Sequence, residues 1–79
     1  MQRVATTFSD TLLRLFRVNR KDIWYLHFIF EAYDGVATVS TVDAKDGIVR
    51  IIIPAGREEE AGELLRELSL EISLEELPE

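Results

Sequence analysis

Cysteine is absent from this chain, histidine and tryptophan occur once each, and proline occurs only twice. Without cysteine there is no disulfide framework and no thiolate metal site, so the packing of one small core must stabilise the fold, helped where necessary by a second subunit. No apolar run approaches the roughly 18 residues of a membrane span, and no signal-peptide pattern begins the sequence. A chain of 79 residues has room for one domain. We therefore expect a cytoplasmic protein of one domain, without a membrane partner.

Signatures of catalysis, metal binding and cofactor binding are also missing. The single histidine, His27, lies on an apolar helical stripe, where a core or interface histidine bonded to a backbone carbonyl is the usual case. No serine has a Gly-x-Ser-x-Gly elbow, and neither a phosphate-binding loop nor a dinucleotide fingerprint occurs. We predict a protein that is not an enzyme and that needs no metal or cofactor.

The net charge of -6 is unevenly distributed along the chain. Residues 1–30 contain five basic groups and two acids, whereas residues 31–79 contain four basic groups and thirteen acids. Nucleic-acid binders usually carry a basic excess, because neutralising phosphates supplies most of their non-specific affinity. Sheet-based RNA binders also place aromatic residues on the middle strands, where this chain offers only Phe16. The sequence therefore argues against a nucleic-acid partner.

Hydrophobic periodicity predicts an α+β fold. Residues 1–10 are polar and aperiodic, which predicts a flexible arm, and residues 11–76 are expected to form the single domain. Asn19 is a good N-cap for the first helix, and Gly35 and Gly47 are expected to adopt the positive φ that ends a helix and closes a hairpin. The predicted elements are a strand at 11–18, a helix at about 20–33, strands at 36–42 and 48–53, a helix at 57 to about 67 and a strand at 70–74.

The last of these elements has two interpretations. Leu70, Ile72 and Leu74 alternate with polar residues, which is the pattern of a half-buried strand. The helical spacing that starts at Leu64 also continues through Ile72, so the alternative extends the second helix to Leu77. We predict the strand.

The order strand, helix, strand, strand, helix, strand is that of a ferredoxin-like βαββαβ sandwich, in which a four-stranded antiparallel sheet carries both helices on one face. The other face is left open, and Ile48, Arg50 and Ile52 are expected there. The first helix has more apolar surface than one small sheet can cover, with Trp24 and Phe28 beside its core stripe. Exposed apolar surface of this kind usually contacts a partner, so we predict a homodimer that uses these five residues.

One polar cluster is a candidate ligand site. Asn19, Arg20 and Lys21 lie in the loop between the first strand and the first helix. Free amides and two cations at the start of a helix can hold a carboxylate or a phosphate. Plain capping beside two solvated cations is the alternative. We rank this loop above the one at Arg57, where the glutamates that follow would repel an anion.

Several short segments together form a recognisable pattern, namely Val18, Asp22-Ile23, Phe30-Glu31-Ala32-Tyr33-Asp34-Gly35, Thr41-Val42-Asp43 and Pro54-Ala55-Gly56-Arg57-Glu58. This pattern resembles an uncharacterised bacterial family, Domain of Unknown Function 4911. The resemblance covers about residues 16–70 and implies neither an activity nor catalytic residues.

In its element order the chain is also similar to ACT-type regulatory domains. That resemblance implies a small ligand, often an amino acid, bound near the loop from Asn19 to Asp22 at a subunit interface. ACT domains commonly have a glycine in this loop, whereas the first glycine here is Gly35. The leading prediction is therefore a non-enzymatic module that acts through homodimerisation or another protein contact. The alternative is an ACT-type regulatory domain that senses an amino acid or another small anion.

Overall fold

A computed structural model describes residues 11–78 and confirms the predicted ferredoxin-like fold. The sheet has the strand order β2-β3-β1-β4, and every neighbouring pair is antiparallel. The arm predicted for residues 1–10 lies outside the described residues. The elements are β1 (Leu12–Arg17), a 3₁₀ turn (Arg20–Asp22), α1 (Ile23–Ala32), β2 (Thr38–Asp43), β3 (Ile48–Ile53), α2 (Glu58–Leu68) and β4 (Glu75–Leu77).

The core lies between the two helices and one face of the sheet. Strand β3 illustrates this arrangement. Val49, Ile51 and Ile53 are fully buried, whereas the residues between them are only partly buried. Side chains alternate between the two faces of a strand, so one residue in two of β3 reaches the helices, and Arg50 is among those that point away from them. The buried residues are Phe16, Val18, Leu26, Phe30, Val36, Val39, Val49, Ile51, Ile53, Ala61, Leu64, Leu65 and Leu68.

The face of the sheet opposite the helices is largely aliphatic, and we call it the open face. Leu13 of β1 lies directly opposite Ile52 of β3, and Leu15 lies between Arg50 on β3 and Leu77 on β4. Neither helix covers these side chains. The open face therefore combines aliphatic side chains with one central cation, Arg50.

The start of α1 differs from the prediction. Asn19 makes no side-chain capping bond, and its backbone carbonyl instead accepts the N–H of Asp22 at 2.9 Å. This bond closes a 3₁₀ turn over Arg20–Asp22, so the α-helix begins at Ile23, three residues later than predicted. The 3₁₀ turn takes the place of a side-chain cap, because the Asn19 carbonyl accepts the hydrogen bond of an N–H group that has no partner within the helix.

The strand predicted at residues 70–74 is wrong, and so is its helical alternative. Helix α2 ends at Leu68, and the chain then turns, with the N–H groups of Glu71 and Ile72 both donating to the Leu68 carbonyl at 2.9 Å. Leu70 is 84% exposed, whereas Ile72 and Leu74 pack against the core. The alternating pattern therefore comes from a loop that covers the core, and β4 begins one residue beyond it, at Glu75.

The short strand β4 is held to β1 by two ion pairs. The guanidinium of Arg14 donates to both carboxylate oxygens of Glu76, at 2.9 and 2.8 Å. Arg17 and Glu75 pair through a single contact of 3.2 Å and are more exposed. The hydrogen bond from Arg14 lowers the pKa of Glu76 below its ordinary value and raises the pKa of Arg14. The bidentate pair is the stronger of the two, since both of its bonds are charge-assisted.

We expect Glu76→Gln to remove a pH-dependent part of the stability. Because the pKa of Glu76 is lowered in the folded protein, its contribution is present above the unfolded value of about 4.3 and is lost as the pH falls through the folded value. Both side chains are partly solvated, so the loss at pH 7 should be at most about 1 kcal/mol. Urea unfolding at pH 7 and pH 3 measures this difference, which should nearly vanish at the lower pH. Glu75→Gln is the control with the smaller expected loss, and a Glu76→Gln effect of equal size at both pH values would contradict the assignment.

Candidate functional site

A wide groove lies where the turn before α1 meets the loop between β2 and β3, and we call it the basic groove. It is open to solvent and has a volume of about 1120 Å³. The antiparallel pairing of β1 with β3 creates it, because the end of β1 at Arg17 lies opposite the start of β3 at Ile48. The groove is lined by Asn19, Arg20, Lys21, Ile23, Trp24, His27, Thr41, Ala44 and Lys45.

Three cations from two separate segments line the basic groove. Arg20 and Lys21 come from the 3₁₀ turn, and Lys45 comes from the β2–β3 loop. No carboxylate is among the lining residues within the described part of the chain. Lys21 approaches Asp22 at 3.6 Å, but its side chain is 79% exposed, so this contact neutralises it only weakly. The groove thus has a local positive charge on a protein whose net charge is -6.

The predicted ligand residues Asn19, Arg20 and Lys21 are brought together in this groove. Lys45 was missed by the sequence reasoning, since it is far from them along the chain. The loop that carries it is held against the end of β1, where the Val18 N–H donates to the Gly47 carbonyl at 2.8 Å. Antiparallel pairing of the two middle strands was the signal that could have placed it there.

His27 lies in the inner wall of the basic groove, and its partner differs from the predicted one. Its Nε2 atom is 3.0 Å from the Thr41 hydroxyl, not from a backbone carbonyl, and the ring is only partly buried. The reason is that α1 packs over the edge strand β2, so the flank of its apolar stripe meets a side chain on that strand. The pair thus places two hydrogen-bonded polar side chains in the wall of the groove.

Two aromatic side chains are exposed on the outer surface of α1. Trp24 is 67% exposed and Phe28 60% exposed, one helical turn apart. Trp24 also lines the basic groove and contacts the Tyr25 ring edge-on, with centroids 5.9 Å apart. The Tyr25 hydroxyl donates to Glu71 at 2.5 Å, which raises the pKa of Tyr25. Trp24 therefore lies at the rim of the basic groove, next to a Tyr25 ring that Glu71 holds in place.

The five residues predicted for a dimer interface belong to two different surfaces. Trp24 and Phe28 lie on the helical side of the molecule. Ile48, Arg50 and Ile52 alternate with the buried residues of β3 and so lie on the open face. One flat interface between two subunits can use one of these surfaces and not both.

A second, smaller cavity of about 420 Å³ lies at the other end of α1, with His27 between it and the basic groove. Acidic residues line this end, namely Glu31 and Asp34. The guanidinium of nearby Arg57 bonds to Glu60 and packs against Gly35, where a Cβ atom would lie 3.1 Å from its Nη1. Because Arg57 already has an acidic partner, this end of the molecule is less suited to an anion.

Two findings limit the kinds of site that the described residues offer. Over residues 11–78 there is no group of three or more histidine, aspartate or glutamate side chains placed to hold a metal ion. None of the helices in that range is long and apolar enough to cross a bilayer.

These features define a small ferredoxin-like α+β module with an open basic groove beside its first helix. The chain belongs to the family described as a domain of unknown function (DUF4911), whose family model matches residues 16–72, well over half of the chain. The matched range includes every residue that lines the basic groove. No curated protein and no solved structure gave a significant match. The family resemblance is thus confirmed, and the family description assigns no activity to the groove.

Proposed function

We propose that this protein is a non-enzymatic, regulatory module that binds a small anionic ligand in the basic groove. The observation that supports this role is the convergence of Arg20, Lys21 and Lys45 from two segments on one concave surface without a lining carboxylate. The three cations give the groove a positive potential that favours the binding of an anion between them. The cytoplasmic location remains a prediction from the sequence.

The side chains around the cations suit ligand binding and not only solvation. Asn19 lacks the capping bond that would occupy its side chain, so its amide can take part in binding. The His27–Thr41 pair adds a second polar contact at the inner wall. A groove with convergent charged and neutral polar groups is the usual form of a small-molecule site.

A thermal-shift screen tests this role with inorganic phosphate, nucleotides and amino acids as probes. A ligand at 100 times its Kd stabilises the folded state by about 2.7 kcal/mol, which should raise the Tm of a domain of this size by roughly 10 °C or more. The double variant Arg20→Ala/Lys21→Ala should lose most of that shift, and Lys45→Ala should reduce it.

Arg66→Ala is the matched control for these charge changes. Arg66 is an exposed cation near the end of α2 and does not line the groove. Its removal changes the net charge by the same amount as Lys45→Ala, so the shift should persist in it. A screen with no shift, or a shift that Arg66→Ala reduces as much as Lys45→Ala, would exclude the basic groove as the ligand site.

The open face favours homodimerisation as a second candidate role. Leu13 is 45% exposed there, beside Leu15 and Ile52, and the one acid of that face on β4, Glu75, pairs with Arg17 of its own chain. A two-fold axis would place this surface, including Arg50, against the same surface of a second copy. A four-stranded face spans roughly 20 Å in each direction, or about 400 Å² per subunit, which is smaller than a standard interface, so we propose a weak, concentration-dependent dimer.

Light scattering coupled to size-exclusion chromatography tests this dimer over a range of micromolar concentrations. We expect the mass to rise with concentration towards two chains, and Ile52→Asp to keep the protein monomeric because it places a charge in the apolar face. Leu70→Asp is the control, since Leu70 is exposed in the turn after α2 and not on the open face. A strict monomer at all concentrations would exclude this role.

A further inference from the structure

We infer that the ligand of the basic groove is an aromatic phosphate of the size of a nucleoside monophosphate, with its ring stacked on Trp24. The inference rests on the proposed function and adds the chemical class of the ligand to it. It depends on the composition of the groove wall, the exposure of Trp24 and the number of cations.

The wall of the basic groove is partly charged and partly apolar. Besides its polar side chains it is lined by Ile23, Trp24 and Ala44. The groove is wide and open to solvent, so it has room for a ligand much larger than a bare phosphate or acetate. A ligand that fits both parts of the wall therefore has an anionic end and a flat apolar end.

Trp24 is the side chain that would contact the flat end. Its indole is 67% exposed at the rim of the groove, although a large aromatic side chain is normally more buried. The edge contact with Tyr25, which Glu71 holds through a hydrogen bond, limits the orientations of the indole. A ring that is both exposed and oriented in advance loses little entropy when a planar ligand stacks on it.

The cations favour a phosphate over a carboxylate at the anionic end. A phosphate monoester carries nearly two negative charges at neutral pH, and the groove offers Arg20, Lys21 and Lys45. The guanidinium of Arg20 can bind two phosphate oxygens at once, and the lysines act as additional point charges. One exposed aromatic residue in the groove suits one base, not a strand of nucleic acid, which the net charge of -6 would repel.

The fluorescence of Trp24 allows a direct test, because it is the only tryptophan in the chain. The probes are AMP, ribose 5-phosphate and inorganic phosphate, with fluorescence for stacking and calorimetry for affinity. AMP should quench the emission and bind roughly five to ten times more tightly than ribose 5-phosphate, as expected when one base stacks on one aromatic side chain. Ribose 5-phosphate should bind without quenching.

Trp24→Leu should reduce AMP binding to the level of ribose 5-phosphate while ribose 5-phosphate binding persists, which also shows that the groove is intact. Phe28→Leu is the matched control, since Phe28 is similarly exposed one turn further along α1 but does not line the groove. Equal affinities for AMP and ribose 5-phosphate, both lost in Arg20→Ala/Lys21→Ala, would overturn the aromatic class and leave the anion site standing. Absence of binding by all three probes would overturn the inference and count against the proposed function, and much tighter binding of a short oligonucleotide would overturn the mononucleotide class.

Discussion

Gly47→Ala is expected to lower the free energy of unfolding by roughly 3 kcal/mol or more, through backbone strain and a clash with the chain itself. Gly47 has a φ of 72°, a conformation that alanine adopts only at a cost. A Cβ atom at this position would also lie 2.0 Å from the carbonyl oxygen of Val18, which belongs to the backbone and cannot rotate away. The Val18 N–H donates to the Gly47 carbonyl at 2.8 Å, so relieving the clash would break the contact between the β2–β3 loop and the end of β1.

Two other glycines provide controls that separate these effects. Gly56 has a φ of 89°, and apart from its chain neighbours no atom lies within 4 Å of its Cβ position, so Gly56→Ala should cost only the backbone strain of about 1 kcal/mol. Gly62 lies inside α2 with the same open space, and Gly62→Ala should stabilise the protein by about 0.5–1 kcal/mol through helix propensity. Urea unfolding curves for the three variants give the comparison. If Gly47→Ala lowers the free energy of unfolding no more than Gly56→Ala does, the expected clash with the Val18 carbonyl does not occur.

The fold could be predicted from the sequence where local signals agree with the tertiary contacts. The strand at Ile48–Ile53 is β-branched almost throughout, and the glycine at 47 closes the hairpin as expected. Prediction failed after Leu68, because Ile72 and Leu74 cover the core from a loop, and alternation in the sequence cannot distinguish that from a strand. The position of β4 depends on its pairing with β1, which involves residues some sixty positions apart, as in the bond of Arg14 to Glu76.

The candidate site could be predicted only in its contiguous part. Asn19, Arg20 and Lys21 are adjacent in sequence and stand before a helix, which is a visible pattern. Lys45 and Thr41 come from the hairpin and are brought to the same groove by the register of β3 on β1 and by the packing of α1 on β2. The position of Trp24 in the groove could not be predicted for the same reason. Its indole lines the groove together with residues of the β2–β3 hairpin, and the sequence does not show that the hairpin lies opposite it.

The second large effect is expected for Ile51→Ala, which should lower the free energy of unfolding by about 3–4 kcal/mol. Ile51 is fully buried, faces both helices and lies on a central strand between Arg14 of β1 and Val39 of β2. Neighbouring strands and helices fix the walls around it, so the site cannot collapse onto the smaller side chain. A loss of this size is a large fraction of the stability of a small domain, which is typically about 5–10 kcal/mol. Urea unfolding should show a lower midpoint with an unchanged slope.

Ile52→Ala is the matched control, because it removes the same atoms one residue further along, where the side chain points to the open face. In the monomer this change should cost about 1 kcal/mol or less, since Ile52 is only partly buried there. If a second copy covers the open face, the cost should grow with protein concentration, because association stabilises only the folded chain. Unfolding of both variants at two concentrations therefore measures the core and the proposed interface together. Equal losses at low concentration would mean that the register of β3 is wrong, whereas a loss that grows only for Ile52→Ala is the result expected of the dimer.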